Sequence, residues 1–200
     1  AEQPVMLLDC DVEEPNAHLF LKPTITATTP VYKPIPQINF DKCTFCGKCA
    51  EICEYNALAV IATQVLVFAE LCHGCGGCTL LCPEGAVSET RQQVGVVERG
   101  HSDYVEFVQG ILNVSEAMAG PVIRAVKQQI NGHPFAILDA PPGTSCPVVL
   151  TLQGSDFCIL VTEPTPFGLH DLQLAVDVAR QLRIPHGLSL IHISEPTRPY

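Results

Sequence analysis

Eight cysteines between Cys43 and Cys82 repeat one spacing twice, and no other feature leaves the chain so few choices. Cys43, Cys46, Cys49 and Cys53 follow C-x₂-C-x₂-C-x₃-C, and Cys72, Cys75, Cys78 and Cys82 follow it again, the second time with Pro83 directly behind. A cubane of iron and sulfide needs four thiolates at tetrahedral corners; three closely spaced cysteines wrap one cluster, and the fourth of each run reaches across to the other. The spacing therefore predicts two [4Fe–4S] clusters. One is expected on Cys43, Cys46, Cys49 and Cys82, the other on Cys72, Cys75, Cys78 and Cys53. Gly47, Gly74, Gly76 and Gly77 suit loops whose amides turn toward sulfides at close range. Structural zinc prefers two short cysteine pairs separated by a longer gap, and disulfides match this spacing less well still.

Over its whole length the module resembles bacterial two-cluster ferredoxins, which implies one-electron transfer at low potential. Glu54 stands where that pattern usually has proline, a departure that removes no ligand. Structural clusters, or clusters carried as cargo, are the competing readings. His73, between Cys72 and Cys75, reads as a hydrogen-bond donor to a sulfur rather than as a ligand. Cys10, Cys146 and Cys158 lie in or beside apolar runs and read as core residues. Cys146, just after the PPGT turn, is the one to test as an extra ligand or redox-sensitive thiol.

The chain has 200 residues, 47% of them hydrophobic, which suffices for one ordinary domain plus a small one. Its formal charge is −10, with only 11 Lys and Arg scattered along it, which argues against a nucleic-acid groove. The longest apolar run, Ala57 to Ala69, is interrupted by Thr63 and Gln64 and is too short for a membrane helix. Thiolate clusters persist in reducing compartments, so the expected location is the cytoplasm.

Val5 to Leu8 reads as a buried parallel strand that delivers the polar stretch Asp9 to Asn16 to a site. Because Gln3 to Asp9 is already strand-like and the chain opens on Ala1, a segment upstream is expected to be missing. Pro23, Pro30, Pro34 and Pro36 read as a stiff linker into the cysteine module, which spans 38–90 and carries a hairpin of Ala57–Ala62 and Val65–Phe68. Beyond it, Gln93–Glu98 and Tyr104–Leu112 alternate like strands, and Ser115 is placed to cap a helix bearing Met118, Val122, Ile123, Val126 and Ile130. Strands are expected at Phe135–Leu138 and Phe157–Val161, with a helix from His170 that stops at Pro185. The order implies a parallel α/β sheet in two pieces, 1–37 and 91–187, with the module inserted between them.

Three segments set acids and glycines at strand ends: LLDCDVEEPNAHLFL from Leu7, ILDAPPGTSCPV from Ile137 and VTEPTPFGLHDLQLAV from Val161. Together they resemble the MinD- and Mrp-like P-loop ATPases of the SIMIBI class, in the branch with an inserted ferredoxin domain, over residues 1 to about 187. The resemblance implies that Asp11 activates the attacking water, that Asp9 and the Walker B acid Asp139 belong to a Mg-ATP site, and that Gly143 senses the γ-phosphate. It further implies a homodimer or a pair of paralogues, with a redox partner or a recipient protein. The glycine-rich phosphate loop and its lysine occur nowhere in the chain, so residues 1–200 by themselves are expected to bind ATP poorly. Leu188 to Tyr200, LSLIHISEPTRPY, interrupts the α/β pattern and matches the translation of a transposase-type sequencing adapter, so no site is expected there. The leading expectation is an ATP-dependent iron–sulfur protein that gates electron transfer. A carrier of clusters or metal cofactors, and a MinD-like positioning ATPase with a cluster sensor, are the alternatives.

Overall fold

The computed structural model describes residues 5–191. Its central sheet has five strands in the order β2-β5-β6-β1-β7. These are β1 (Val5–Asp9), β2 (Thr24–Ile38), β5 (Val87–Ser102), β6 (Val105–Leu112) and β7 (Ala136–Asp139), with the short helix α1 (Ala17–Leu21) between β1 and β2. Strand β1 lies between two parallel neighbours, β6 and β7, which explains its nearly continuous apolar sequence. Strands β5 and β2 join antiparallel, so the sheet is mixed where a parallel one was expected.

One face of this sheet is closed by α4 (Gly120–Lys127), whose Val122, Ile123 and Val126 pack with Met6, Leu8, Val94, Val97 and Val108. Each fully buried aliphatic side chain here contributes about 1.5–3 kcal/mol. The helix comes this close because β6 carries Gly110, where a Cβ would sit 2.6 Å from Val12 and 2.8 Å from both Val122 and Val126. Ser115 does not cap α4. It has φ 70°, and the helix starts five residues later, behind Ala119, with a proline in its first turn.

The prolines also behave differently from expectation. Instead of a linker, Thr24–Ile38 is one 15-residue strand running through Pro30, Pro34 and Pro36. Proline removes a ladder donor, but β2 is the sheet's edge and carries register shifts at Ile25/Ala27 and Val31/Tyr32, the two settings in which strands accept it. Its partner β5 is likewise longer than the expected Gln93–Glu98. Beyond Gly95, where β6 ends its pairing with β5, the two strands continue alone as a ribbon from Tyr32 to Ile38 against Val87 to Gln93. Seven residues at about 3.3 Å each carry this ribbon roughly 23 Å past the sheet.

The cysteine module sits on the ribbon. It holds the one-turn helices α2 (Lys48–Glu51) and α3 (Gly77–Leu80) and the expected hairpin, as β3 (Leu58–Ile61) and β4 (Gln64–Val67). On the other side of the chain come α5 (Cys146–Leu152), then β8 (Cys158–Thr162), α6 (Pro166–Gln181) and β9 (His186–Leu190). Thr165 caps α6 by accepting from Gly168 N. Strands β8 and β9 pair in parallel as a separate two-stranded sheet, so the expected single sheet is divided. Among the described residues no strand joins β7 to β8, and Ile159 and Val161 of β8 stay 65% and 62% exposed. Strand β9 takes in Leu188, Ser189 and Leu190 of the tail expected to break the pattern, although all three are exposed. The rest of that tail, 192–200, lies outside the described residues, as do 1–4.

Candidate cluster module and carboxylate site

Both cysteine runs fold onto the same backbone. The residue before the second cysteine has positive φ in each half, Phe45 at 54° and Gly74 at 64°. So does the glycine after it, Gly47 at 82° and Gly76 at 74°, from which α2 and α3 start. Three residues past the fourth cysteine, Asn56 and Gly85 repeat the pattern at 51° and 58°. In each half the amide four residues beyond that cysteine donates to its sulfur: Ala57 to Cys53 and Ala86 to Cys82, both at 3.3 Å. Positive φ turns successive amides toward one side of the loop, which is how a chain offers donors to an anionic group.

The four cysteines expected to share the first cluster, Cys43, Cys46, Cys49 and Cys82, line one hollow together with Ile38 and Val87. In the other half, Tyr55 and His73 lie flat on each other, ring centres 3.5 Å apart and 6° from parallel. This stack ties the segment after Cys53 to the loop of Cys72. His73 therefore packs against a ring where a hydrogen bond to sulfur was expected. Gly74 N donates to Cys72 Sγ at 3.4 Å.

The thiols of the module respond to their surroundings in both directions. Desolvation acts to raise the Cys82 thiol and is the largest single influence on it. The backbone amides of Ala86, Glu84, Val87 and Gly85 together outweigh it and hold the group below its usual range. Burial raises Cys49 and Cys78, with neighbouring cysteines adding to the effect, the response expected of thiols grouped without a cation. Among the described residues no three His, Cys, Asp or Glu side chains converge on a point fit for a single ion. A cubane is wider than one ion, so its ligands surround it rather than meet. The shared hollow fits one [4Fe–4S] cluster on Cys43, Cys46, Cys49 and Cys82, and the repeated loops and donated amides suit a second on the other four cysteines, which share no such hollow among the described residues.

The acids gather at the C-terminal end of the central sheet. Asp9 pairs in register with Asp139 of β7 on one side and with Gln109 of β6 on the other. Gln109 pairs with Glu98 of β5 and donates to its carboxylate at 2.6 Å, so four adjacent strands present one polar row. Asp9 is fully buried and accepts from three amides, Asp11 N at 3.1 Å and Asn16 N and Ala17 N at 3.0 Å. Its carboxylate organises the loop that holds Asp11. Asp11 is half-buried, and its carboxyl is raised by desolvation, with Asp9, Glu13 and Asp139 adding like charge. Asp139, exposed at the end of the edge strand β7, is raised by desolvation and then by Asp9. Gly143 follows in the loop at φ 88°, with open space around it.

Of the remaining cysteines, Cys10 and Cys158 are buried as expected, and burial pushes Cys10 up to about 12. Cys146 is not in the core; it is exposed at the start of α5. That helix escapes a reading of sequence because Cys-Pro-Val-Val-Leu-Thr-Leu has the composition of a strand. The buried ion pair of Lys33 with Glu116, 2.8 Å apart, was also missed, since 83 positions separate its members and neither belongs to a motif. No helix among the described residues is long and apolar enough to cross a membrane.

The repeated loops and grouped thiols define a ferredoxin-type iron–sulfur module. Correspondingly, the 4Fe-4S binding domain family matches the chain twice, over residues 36–59 and 65–88. Most of the chain is similar to two uncharacterized proteins of Methanocaldococcus jannaschii. The first is 31% identical over 170 residues, which is 84% of this chain and 59% of that protein. The second is 28% identical over 193 residues, 92% of this chain and 67% of that protein. The chain thus spans about three fifths to two thirds of the length of these relatives.

Proposed function

We propose that this chain passes single electrons through two [4Fe–4S] clusters and that Mg-ATP bound at the carboxylate end of the sheet gates the transfer. The observation that carries the first half is the doubled loop geometry, with Cys43, Cys46, Cys49 and Cys82 around one hollow. Bound there, the clusters would supply one-electron chemistry, and the loop amides around the thiolates would set how readily each is reduced.

The ATP half is supported by Asp9, Asp11 and Asp139 at the ends of adjacent strands. Asp139 would hold the magnesium through water, Asp11 would orient the attacking water, and Gly143 would let a backbone amide meet the terminal phosphate. Asp9 serves by fixing the loop of Asp11. No residue of this chain is assigned to a phosphate cradle. Delivery of clusters to another protein is the second reading, favoured by the exposure of Cys46 and Cys75.

Anaerobic reconstitution followed by reductive titration tests the proposal. Two reversible one-electron steps per chain, with the clusters retained over repeated cycles, are expected. Loss of both clusters to an apo-ferredoxin within minutes would favour delivery instead. For the gating, the gene extended upstream is expected to show magnesium-dependent ATP binding that Asp139→Asn abolishes.

A further inference from the structure

We propose that the two cluster sites are not equivalent: the site of Cys72, Cys75, Cys78 and Cys53 is the inner one, and the buried Lys33–Glu116 pair joins it to the carboxylate end of the sheet. The site of Cys43, Cys46, Cys49 and Cys82 is the outer one. This rests on the two-cluster reading given above.

Position along the ribbon separates the sites. The outer hollow is lined by Ile38 and Val87, the last paired residues of β2 and β5 and the farthest from the sheet. The inner loop packs on Pro34 instead. Pro34 O lies 4.0 Å from Cys72 Sγ, and a Cβ on Gly74 would stand 3.1 Å from the Pro34 ring. Gly76 in the same loop faces Glu89, at 3.2 Å from where a Cβ would be.

Directly before Pro34 comes Lys33, 2% exposed, its ammonium 2.8 Å from a Glu116 carboxylate that is 6% exposed. Glu116 lies in the loop after β6, and the oxygen that Lys33 contacts also accepts from Met118 N at 3.0 Å. That loop leaves the sheet at the same end as Asp9 and Asp139, because β6 and β1 run parallel with Asp9 opposite Gln109. Two charges buried together cost desolvation that well-packed apolar residues would avoid, so such a pair contributes position more than stability. Here it fixes one strand of the ribbon, and the inner loop on it, against the base of α4. Lys33 and Glu116 are thus positioning residues for the inner cluster, and their opposite charges make that role measurable.

The test uses the full chain with clusters reconstituted anaerobically and a redox titration followed by electron paramagnetic resonance. It is run in a Cys46→Ala background that leaves the inner ligand set intact and a Cys75→Ala background that leaves the outer one. Lys33→Met leaves the Glu116 carboxylate without its cation, next in sequence to the Pro34 that supports the inner loop, and is expected to make its cluster harder to reduce. Glu116→Gln leaves an uncompensated ammonium and is expected to make it easier. Each is expected to change the ratio of reduced to oxidised inner cluster at fixed ambient potential by roughly threefold to tenfold, tenfold being about 59 mV for one electron. The outer cluster is expected to stay unmoved. The double variant Lys33→Met with Glu116→Leu removes both charges without leaving either unpaired, and its inner cluster is expected to return toward the parent value. Equal shifts at both sites, shifts of the same sign, or no shift at the inner site would overturn the placement. An iron count well below about eight per chain in the parent would instead defeat the two-cluster reading itself, and the placement with it.

Discussion

In the cysteine module all eight cysteines come from one short stretch, and two halves repeat the same backbone. At the carboxylate end of the sheet, Asp9, Asp11 and Asp139 are brought together by the register of β1 with β7, across more than half the chain. The difference lies in what holds each site. Local loops of fixed spacing surround the thiolates, and their amides are already aimed at the sulfurs. The acids depend on a completed sheet, and β7, which carries one of them, has only β1 beside it among the described residues. A site made of local loops is assembled by one segment, whereas a site made of strand ends needs all of its strands.

The largest expected effect would break that comparison outright. Cys53→Ala and Cys82→Ala each remove one ligand, from opposite clusters, and should each lower bound iron from about eight toward about four atoms per chain. Iron and sulfide analysis after reconstitution would show whether the halves separate; complete loss of iron from either variant would show that they do not. Asp11→Asn and Asp139→Asn should leave the iron count unchanged.

Next in size is the cost of removing Asp9. Asp9→Ala strands three amide donors that now bond to a buried carboxylate, and should lower stability by about 3 kcal/mol in urea denaturation. An effect below about 1 kcal/mol would mean that the loop of Asp11 does not depend on it.

Asp139 should behave in the opposite sense. Partial desolvation at the strand end, aided by Asp9, raises its carboxyl above the ordinary 3.8, so the folded chain disfavours the charged form. The cost is fully present above the raised native value and disappears as pH falls through it toward 3.8. Asp139→Asn is therefore expected to stabilise the chain at pH 7, by less than about 1 kcal/mol because the group is exposed, and to lose that gain near pH 3.5. Millimolar magnesium at pH 7 should narrow the difference if the acids bind the ion. The smallest effect concerns thiols outside the module. With clusters in place, iodoacetamide should modify exposed Cys146 within minutes and spare buried Cys10, as peptide mass mapping would show.

How much could be read from sequence follows the same division. Cys43 to Cys82 was legible because cluster chemistry dictates the spacing of its ligands, and the hairpin between the halves announced itself as two apolar runs flanking Thr63 and Gln64. Strand β1 and helix α6 were legible as an apolar run and an amphipathic pattern. The path of β2 was not, because three prolines argue against a strand unless its place at the edge is known, and that place is set by β5, distant in sequence. Asp9, Asp11 and Asp139 could be picked out as acids at strand ends, but the burial that gives Asp9 a different task from Asp11 depends on the loop folding back. Gln109 and Glu98 carried no signal at all, since only the pairing of β6 with β5 and β1 gives them a shared row.

The prolines of β2 also bear on how these molecules meet one another. An open strand edge offers unpaired donors and acceptors to any other chain, and Pro30, Pro34 and Pro36 each delete a donor along this one. The opposite edge, β7, has no proline between Ala136 and Asp139, and its Ile137 is 45% exposed. Among the described residues, strand-to-strand pairing is thus discouraged along one flank of the sheet and left open along the other.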